Sequence, residues 1–247
     1  MDPNYRKSQA DRWDRWAPVY ASSHPAGDPT QMVDFLSPLV GEGKALELGV
    51  GTGRVALELA RRKHEVYGID ISPKMVEELN RIRGELPVEV TVGNMADVDA
   101  PGEFNLIYCV NSSFYGLLEQ SEQTRCFQNA ATKLSADGVF VLECFMPATG
   151  GFLDRKLRMA VRDQSDEHLS ISTTVVDMAT QTIHWQEVEL REDRTTFRPV
   201  HTRFVWPSEL DLMAQISGLK LLERYNNWRR DQFTGTEKHN ISVYGRA

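Results

Sequence analysis

Glu47-Leu48-Gly49-Val50-Gly51-Thr52-Gly53 joins a short apolar run, Lys44–Leu48, to a segment with helical spacing, Arg54–Arg62. Glycine at 49, 51 and 53 allows a tight turn and lets the backbone come close to a ligand. The helix that follows offers free N–H groups and a positive dipole end to whatever sits in that turn. Strand, glycine turn and helix open a βαβ unit, and the flanking sequence repeats the pattern. Glu65–Ile69 reads as a second strand ending at Asp70, and Ser72-Pro73 caps a helix reaching about Arg83. Val88–Val92 is a third strand. Phe104–Val110 is a fourth, with the continuous apolar run of a strand buried on both faces. Ser121–Leu134 reads as a helix, after which Asp137-Gly138 turns the chain into a fifth strand, Val139–Phe145.

Upstream, Asp28-Pro29-Thr30-Gln31 reads as the start of a helix running to about Leu39, with Asp28 as its cap. Beyond Pro147 the period changes from helical to two. His168–Asp177, Thr182–Arg191 and Thr195–Trp206 read as an antiparallel meander. Ser208-Glu209-Leu210-Asp211 carries a capping-box pattern opening a helix to about Ser217, and Gly218 ends it. Leu219–Tyr225 and Asn240–Tyr244 are two closing strands. The fold class expected is therefore α/β: a doubly wound, Rossmann-like, mostly parallel seven-stranded sheet with helices on both faces, plus an antiparallel β meander insertion.

The 247 residues are 41% hydrophobic and 26% charged, ordinary values for one globular domain. Net charge is −7. That balance argues against electrostatic capture of nucleic acid or an anionic membrane. Arg61-Arg62-Lys63-His64 and Arg229-Arg230 read as solvated surface. No run of 18 apolar residues occurs, so no membrane span is expected. The first residues, Met1-Asp2-Pro3-Asn4-Tyr5-Arg6-Lys7, show no secretory pattern, so the expected location is cytoplasmic. Cys109, Cys126 and Cys144 are far apart without a CxxC and read as small buried hydrophobes. Trp13, Trp16 and Tyr20, spaced by three and four, share one helix face, either as a docking stripe or as an aromatic lid over a ligand. The chain is expected to be a monomer or homodimer.

The glycine turn lacks the last glycine of a GxGxxG dinucleotide loop: position 54 is arginine. It also carries an acid, Glu47, two residues before the first glycine. An acid there opposes a diphosphate and suits a ligand bearing an ammonium and a sulfonium. Asp70, ending the second strand, is placed to accept the hydroxyls of a ribose.

On these residues the chain resembles the class I S-adenosylmethionine-dependent methyltransferases. Glu47–Gly53 is similar to their first motif, Asp70 to their ribose acid, and Gly93-Asn94-Met95 to the segment at the adenine edge. The likeness extends from about Ala17 to the C-terminus. It is nearest to small bacterial enzymes of natural-product pathways, some of which methylate amino sugars or peptide amines. Its further marks are Trp16-Ala17-Pro18-Val19-Tyr20, Asn111-Ser112-Ser113-Phe114 and Trp206-Pro207-Ser208-Glu209-Leu210-Asp211-Leu212-Met213. One departure is Asn94, where the family often has aspartate; its carbonyl still accepts from the adenine amino group, but as a neutral group.

The resemblance implies S-adenosyl-L-methionine as cofactor and S-adenosyl-L-homocysteine as product. It implies a cofactor site of Tyr20, Glu47, Gly49, Gly51, Gly53, Asp70, Ile71, Met75, Asn94, Met95, Val110 and Asn111. Gly49, Gly51 and Gly53 would face the methionine end, which Glu47 orients, while Ile71 and Met75 flank the adenine. A single domain over 1–247 is expected. Its parts are an N-terminal helical lid (1–40), a cofactor-binding core (41–147), the β insertion on the substrate side (150–206) and the closing helix and strands (207–247).

The expected reaction is in-line transfer of a methyl group to an N or O nucleophile of a small molecule, with nitrogen slightly ahead. An amine needs only to be neutral when it attacks, whereas an alcohol needs a base near its proton. His24, Ser113, Tyr115, Glu143, His184 and His201 are the candidate bases, and each also has a plain structural reading. Catalysis is therefore expected to rest mainly on positioning, with Tyr20, His24, Asn111, Phe114 and Glu143 around the methyl group. No His, Cys or acidic cluster has metal-ligand spacing, so no metal is expected. The alternatives are an NAD(P)-dependent oxidoreductase, opposed by Glu47, Arg54 and the lack of a Tyr-x-x-x-Lys pair, and a non-catalytic S-adenosylmethionine-binding module.

Overall fold

The computed structural model describes residues 3–20, 28–146 and 157–247, with side chains from residue 8 onward. Among the described residues, helices α1 (Pro3–Trp16) and α2 (Thr30–Val40) precede the first strand. Pro29, not Asp28, is the N-cap of α2; Asp28 stands one residue before it, its carboxylate accepting the Thr30 amide at 3.0 Å. The alternating core follows: β1 (Lys44–Leu48), α3 (Ala56–Arg61), β2 (Glu65–Asp70), α4 (Pro73–Ile82), β3 (Val88–Val92), β4 (Phe104–Cys109), α5 (Gln120–Lys133) and β5 (Leu134–Phe145). Next come four strands, β6 (Arg158–Ser165), β7 (His168–Asp177), β8 (Thr182–Arg191) and β9 (Thr195–Arg203). The chain closes with α6 (Pro207–Ile216), β10 (Leu219–Tyr225) and β11 (His239–Arg246).

The main sheet has seven strands in the order β3-β2-β1-β4-β5-β11-β10. β1 through β5 run parallel, and β11 joins them antiparallel. Alternate side chains of a strand point to opposite faces, and β4 uses both. Ile107 and Cys109 enter the core that includes Phe127 of α5, while Leu106 and Tyr108 enter the core that includes Leu36 of α2 and Leu59 of α3. The order in which strands are added reverses between β1 and β4, which opens a crevice beyond their C-terminal ends.

Three local readings are corrected. The Asp137-Gly138 turn lies inside β5, where a Cβ on Gly138 would come within 2.7 Å of the Phe104 carbonyl oxygen. The strand passes too close to β4 there for any side chain. The Ser208 capping box does not form. The helix begins at Pro207, and the Glu209 carboxylate is taken by Arg203 at 2.7 Å and Gln181 at 2.7 Å. The meander has a fourth strand, β6, paired with β7.

Trp16 splits from its helical neighbours. It is fully buried and stacks on Trp185 of β8 at 5.5 Å, with the Arg198 guanidinium 5.7 Å from its ring. The C-terminal half of α1 is thereby pinned to the second sheet. The three cysteines are free and buried. Among the described residues, no helix is long and apolar enough to cross a membrane.

Candidate active site

A cleft open to solvent lies at the C-terminal edge of the parallel sheet. It is lined by the glycine turn and the end of β2, by Met75 of α4, by the loop after β3, by the turn after β4, and by α1 and α5.

The turn is shaped from within. Gly51 has φ 55°, and a Cβ there would meet nothing within 4 Å, so its backbone faces open space. Gly53 has φ 84°, and a Cβ there would sit 2.9 Å from Leu79 of α4. Gly53 therefore serves packing, not the cleft wall. Behind the turn, Glu47 is buried. Its Oε2 accepts the Tyr108 hydroxyl at 2.9 Å and the Ala56 amide at 3.1 Å. Burial pushes its carboxyl up to about 8, against the pull of those donors and of Arg54. The side chain thus fixes the start of α3 and places an acid just below the cleft floor.

Asp70 closes the turn from β2. Gly51 N–H donates to its Oδ2 at 2.8 Å, and Ser72 N–H donates to its Oδ1 at 2.8 Å. Burial raises its carboxyl to about 6 despite those bonds. Each carboxylate oxygen has room for a second donor, which is what a ribose diol presents. Ser72 in turn accepts the Met75 amide at 3.1 Å and donates to Asp14 of α1 at 2.6 Å. Asp14 also accepts the Lys74 amide at 3.2 Å, which latches α1 onto the N-terminus of α4. The latch sets Gln9 and Trp13 of α1, with the following Tyr20, against the cleft. Burial and the nearby Asp70 and Glu47 raise the Tyr20 hydroxyl, opposed by Arg54.

Of the expected cofactor residues, the cleft brings together Tyr20, Gly49, Gly51, Asp70, Ile71, Met75, Asn94 and Met95. Asn94 is turned differently from its sequence reading. Its Oδ1 accepts the Ala96 amide at 2.9 Å, and its Nδ2 donates to Glu122 at 3.1 Å. Val110 instead packs toward α2 and α3. Glu47 and Gly53 support the wall from behind.

The expected methyl-side group separates. Phe114 is fully buried, edge-to-face with Phe127 at 5.7 Å, because the tight turn Ser113–Gly116 points its ring into the core. Ser113 and Gly116 line the cleft in its place. Glu143 spends one oxygen on the Asn111 amide at 2.7 Å, while Asn111 accepts from Arg54 at 2.8 Å. Asn111 and Ser112 both have positive φ, 53° and 57°. Such strain in non-glycine residues persists where surrounding bonds enforce it. His24 lies outside the described residues. His184 and His201 stack on each other at 4.2 Å within the second sheet and do not line the cleft.

Glu122, Gln9 and Leu117 line the cleft without having been singled out in the sequence. For Glu122 a signal exists: with Cys126 and Ala130 it occupies every fourth position along the buried stripe of α5. An acid on that stripe faces inward. Among the described lining residues there are two carboxylates, Asp70 and Glu122, and no lysine, arginine or histidine. Such a lining opposes a diphosphate and fits a ligand bearing positive charge and hydroxyl and amino donors. Among the described residues, no cluster of three or more His, Cys, Asp or Glu is placed to hold a metal ion.

A family model described as a methyltransferase domain matches residues 45–138. The cypemycin N-terminal methyltransferase of a Streptomyces species is 25% identical over 203 residues, 81% of this chain and 82% of that protein. The structure of the CcbJ methyltransferase from Streptomyces caelestis matches with a TM-score of 0.89 at 30% identity, covering 97% of this chain and 99% of that one. An S-adenosylmethionine-dependent methyltransferase from Clostridium acetobutylicum shares the fold, with a TM-score of 0.79 at 14% identity over 92% and 98% of the two chains. The chain belongs to the class I S-adenosylmethionine-dependent methyltransferase family. It is a methyltransferase with S-adenosylmethionine as its cofactor, and the oxidoreductase and non-catalytic alternatives fall away.

Proposed function

We propose that the enzyme methylates an amine of a small molecule or short peptide, with the cleft around Gly51 and Asp70 as the cofactor seat. The observation that carries this reading is the lining itself: among the described residues, two carboxylates, aromatic and apolar walls, and no basic side chain. In this reading Asp70 holds the ribose hydroxyls, the Gly49–Gly51 backbone borders the methionyl end, and Ile71 and Met75 flank the adenine. Glu47 braces the turn beneath the methionyl end through the Tyr108 hydroxyl and the Ala56 amide.

S-Adenosylmethionine, when bound, supplies a methyl group already activated on a sulfonium. The residues are then left with alignment and exclusion of water. Trp13 and Tyr20 cover the cleft, and the Asp14 latch holds them there. Glu143 positions the Asn111–Ser112 turn by accepting its amide, so it acts through the backbone at the end of β4 and not on the acceptor. The second sheet, pinned by Trp16, walls the acceptor side. Nitrogen is favoured over oxygen because an amine that loses its proton to solvent needs no base from the enzyme. The Streptomyces relative named for N-terminal methylation supports the same choice.

The test is turnover to S-adenosylhomocysteine with matched amine and hydroxyl acceptors. Amine acceptors should react, with a rate that rises as the amine becomes neutral. Turnover confined to hydroxyl acceptors contradicts the amine assignment.

A further inference from the structure

We propose that the outer face of the second sheet, centred on Val161, Ile171, Val188 and Phe197, docks a second copy of this chain, giving a two-fold dimer whose sheets pack face to face. Residues paired directly across a ladder share a face of the sheet. Val161 of β6 pairs with Ile171 of β7, Ile171 with Val188 of β8, and Val188 with Phe197 of β9, so one apolar row crosses all four strands. A further row lies on either side of it, one through Met159 and one through Leu169. None of the residues paired in these three rows is Asp, Glu, Lys or Arg. The inner face is built differently. There Arg198 is ion-paired with Glu187 at 3.3 Å and Glu189 at 2.8 Å, and Trp185 stacks on Trp16. The inner face thus carries charge and holds α1, while the outer face leaves Met159 71%, Val161 60% and Phe197 52% exposed.

Area and charge together select a second copy as the occupant. Four strands about 4.8 Å apart, each about nine residues long at about 3.4 Å per residue, make a face of roughly 20 by 30 Å. Its accessible area approaches the ~800 Å² that each partner gives to a stable dimer. An apolar patch of that extent on a monomer marks a protein contact. In an isologous contact the same surface meets itself, and a face without formal charge does so without like-charge repulsion. Elsewhere two copies, each of net charge −7, repel one another. A pleated face of alternating side chains also packs well on another sheet, at a separation of about 10 Å. A second exposed apolar group, Leu212 and Ile216 of α6 with Leu222 of β10, is broken up in sequence by Asp211, Lys220 and Glu223. Docking on the outer face braces from behind the sheet that holds Trp16.

The test is sedimentation equilibrium of the full chain, comparing wild type with Val161→Glu, Phe197→Glu and, on the other apolar group, Ile216→Glu. Wild type should sediment at twice the chain mass. Each outer-face variant should raise the dimer dissociation constant by roughly a hundredfold or more, because two carboxylates per dimer lose water without gaining a partner. Ile216→Glu should leave the dimer intact. Circular dichroism should show both outer-face variants folded, since each site is an exposed residue on an edge strand. Where a glutamate variant does not fold, Phe197→Ser takes its place, with a weakening of about tenfold from lost apolar burial. A dimer that the folded outer-face variants leave unchanged overturns the proposal, whether or not Ile216→Glu dissociates it. So does a wild type that stays monomeric up to its solubility limit. Flotation of that monomer with neutral phospholipid vesicles would assign the face to a lipid surface instead.

Discussion

Asp70, at the end of β2, accepts the amide of Gly51, 19 residues earlier, at 2.8 Å. This bond ties the floor of the glycine turn to the acid proposed to hold the ribose. Its shaping of the cleft and its proposed contact with the ligand are separable by measurement. Asp70→Ala should weaken S-adenosylhomocysteine binding by roughly 1–3 kcal/mol. It should also lower stability by about 1 kcal/mol, since the Gly51 and Ser72 amides lose their partner. Calorimetric titration and denaturant unfolding check the two effects. Unchanged affinity removes Asp70 from the site.

The protonation of the same carboxyl links binding to pH. Burial raises Asp70 from an ordinary value of 3.8 to about 6, and Glu47 from 4.5 to about 8. A carboxyl raised on folding contributes stability that is fully present below its ordinary value and lost as the pH rises through the folded value. The ligand-free enzyme should therefore lose these contributions between about pH 4 and about pH 8. Binding has the opposite slope through Asp70, because ribose hydroxyls donate best to the ionised form. Affinity for S-adenosylhomocysteine should rise roughly tenfold from about pH 5 to about pH 7. The Asp70→Asn variant should show a flatter profile, and a flat wild-type profile contradicts the linkage.

Gly51 tests the turn without touching the sheet. Its φ of 55° disfavours any side chain, and a Cβ there projects into open space at the cleft. Gly51→Val should cost about 1–3 kcal/mol in backbone strain while leaving a folded protein by circular dichroism. S-Adenosylhomocysteine binding should be lost or nearly so. Normal binding by this variant makes the turn purely structural.

The latch between Asp14 and Ser72 should govern the closure of α1. Asp14→Ala removes an acceptor for both the Ser72 hydroxyl and the Lys74 amide. A cost of about 1 kcal/mol is expected, as for loss of a helix N-cap. Because Gln9 and Trp13 line the cleft from α1, bound S-adenosylhomocysteine should also dissociate faster in stopped-flow fluorescence. An unaltered dissociation rate would show that α1 does not retain the ligand.

The parallel sheet was legible because its strands carried short apolar or alternating runs and its helices capping or spacing signals, as at Ser72-Pro73. β6 was not, because all eight of its residues are exposed and its apolar Met159 and Val161 face outward. Only pairing with β7 makes it a strand. In the site, the glycine turn and Asp70 follow from local spacing. Phe114 and Glu143 misled because their positions at strand ends do not reveal direction. A tight turn sends the Phe114 ring into the core, and a backbone amide draws the Glu143 carboxylate. Glu122 reaches the cleft from a helix 52 residues beyond Asp70, a proximity that tertiary packing alone creates.

The most direct measurement of the central claim is a crystal structure of the enzyme grown with saturating S-adenosylhomocysteine. The ribose should lie on the Asp70 carboxylate, with the thioether beside the Gly49–Gly51 backbone. Ligand bound elsewhere on the molecule, with that cleft unfilled, contradicts the claim.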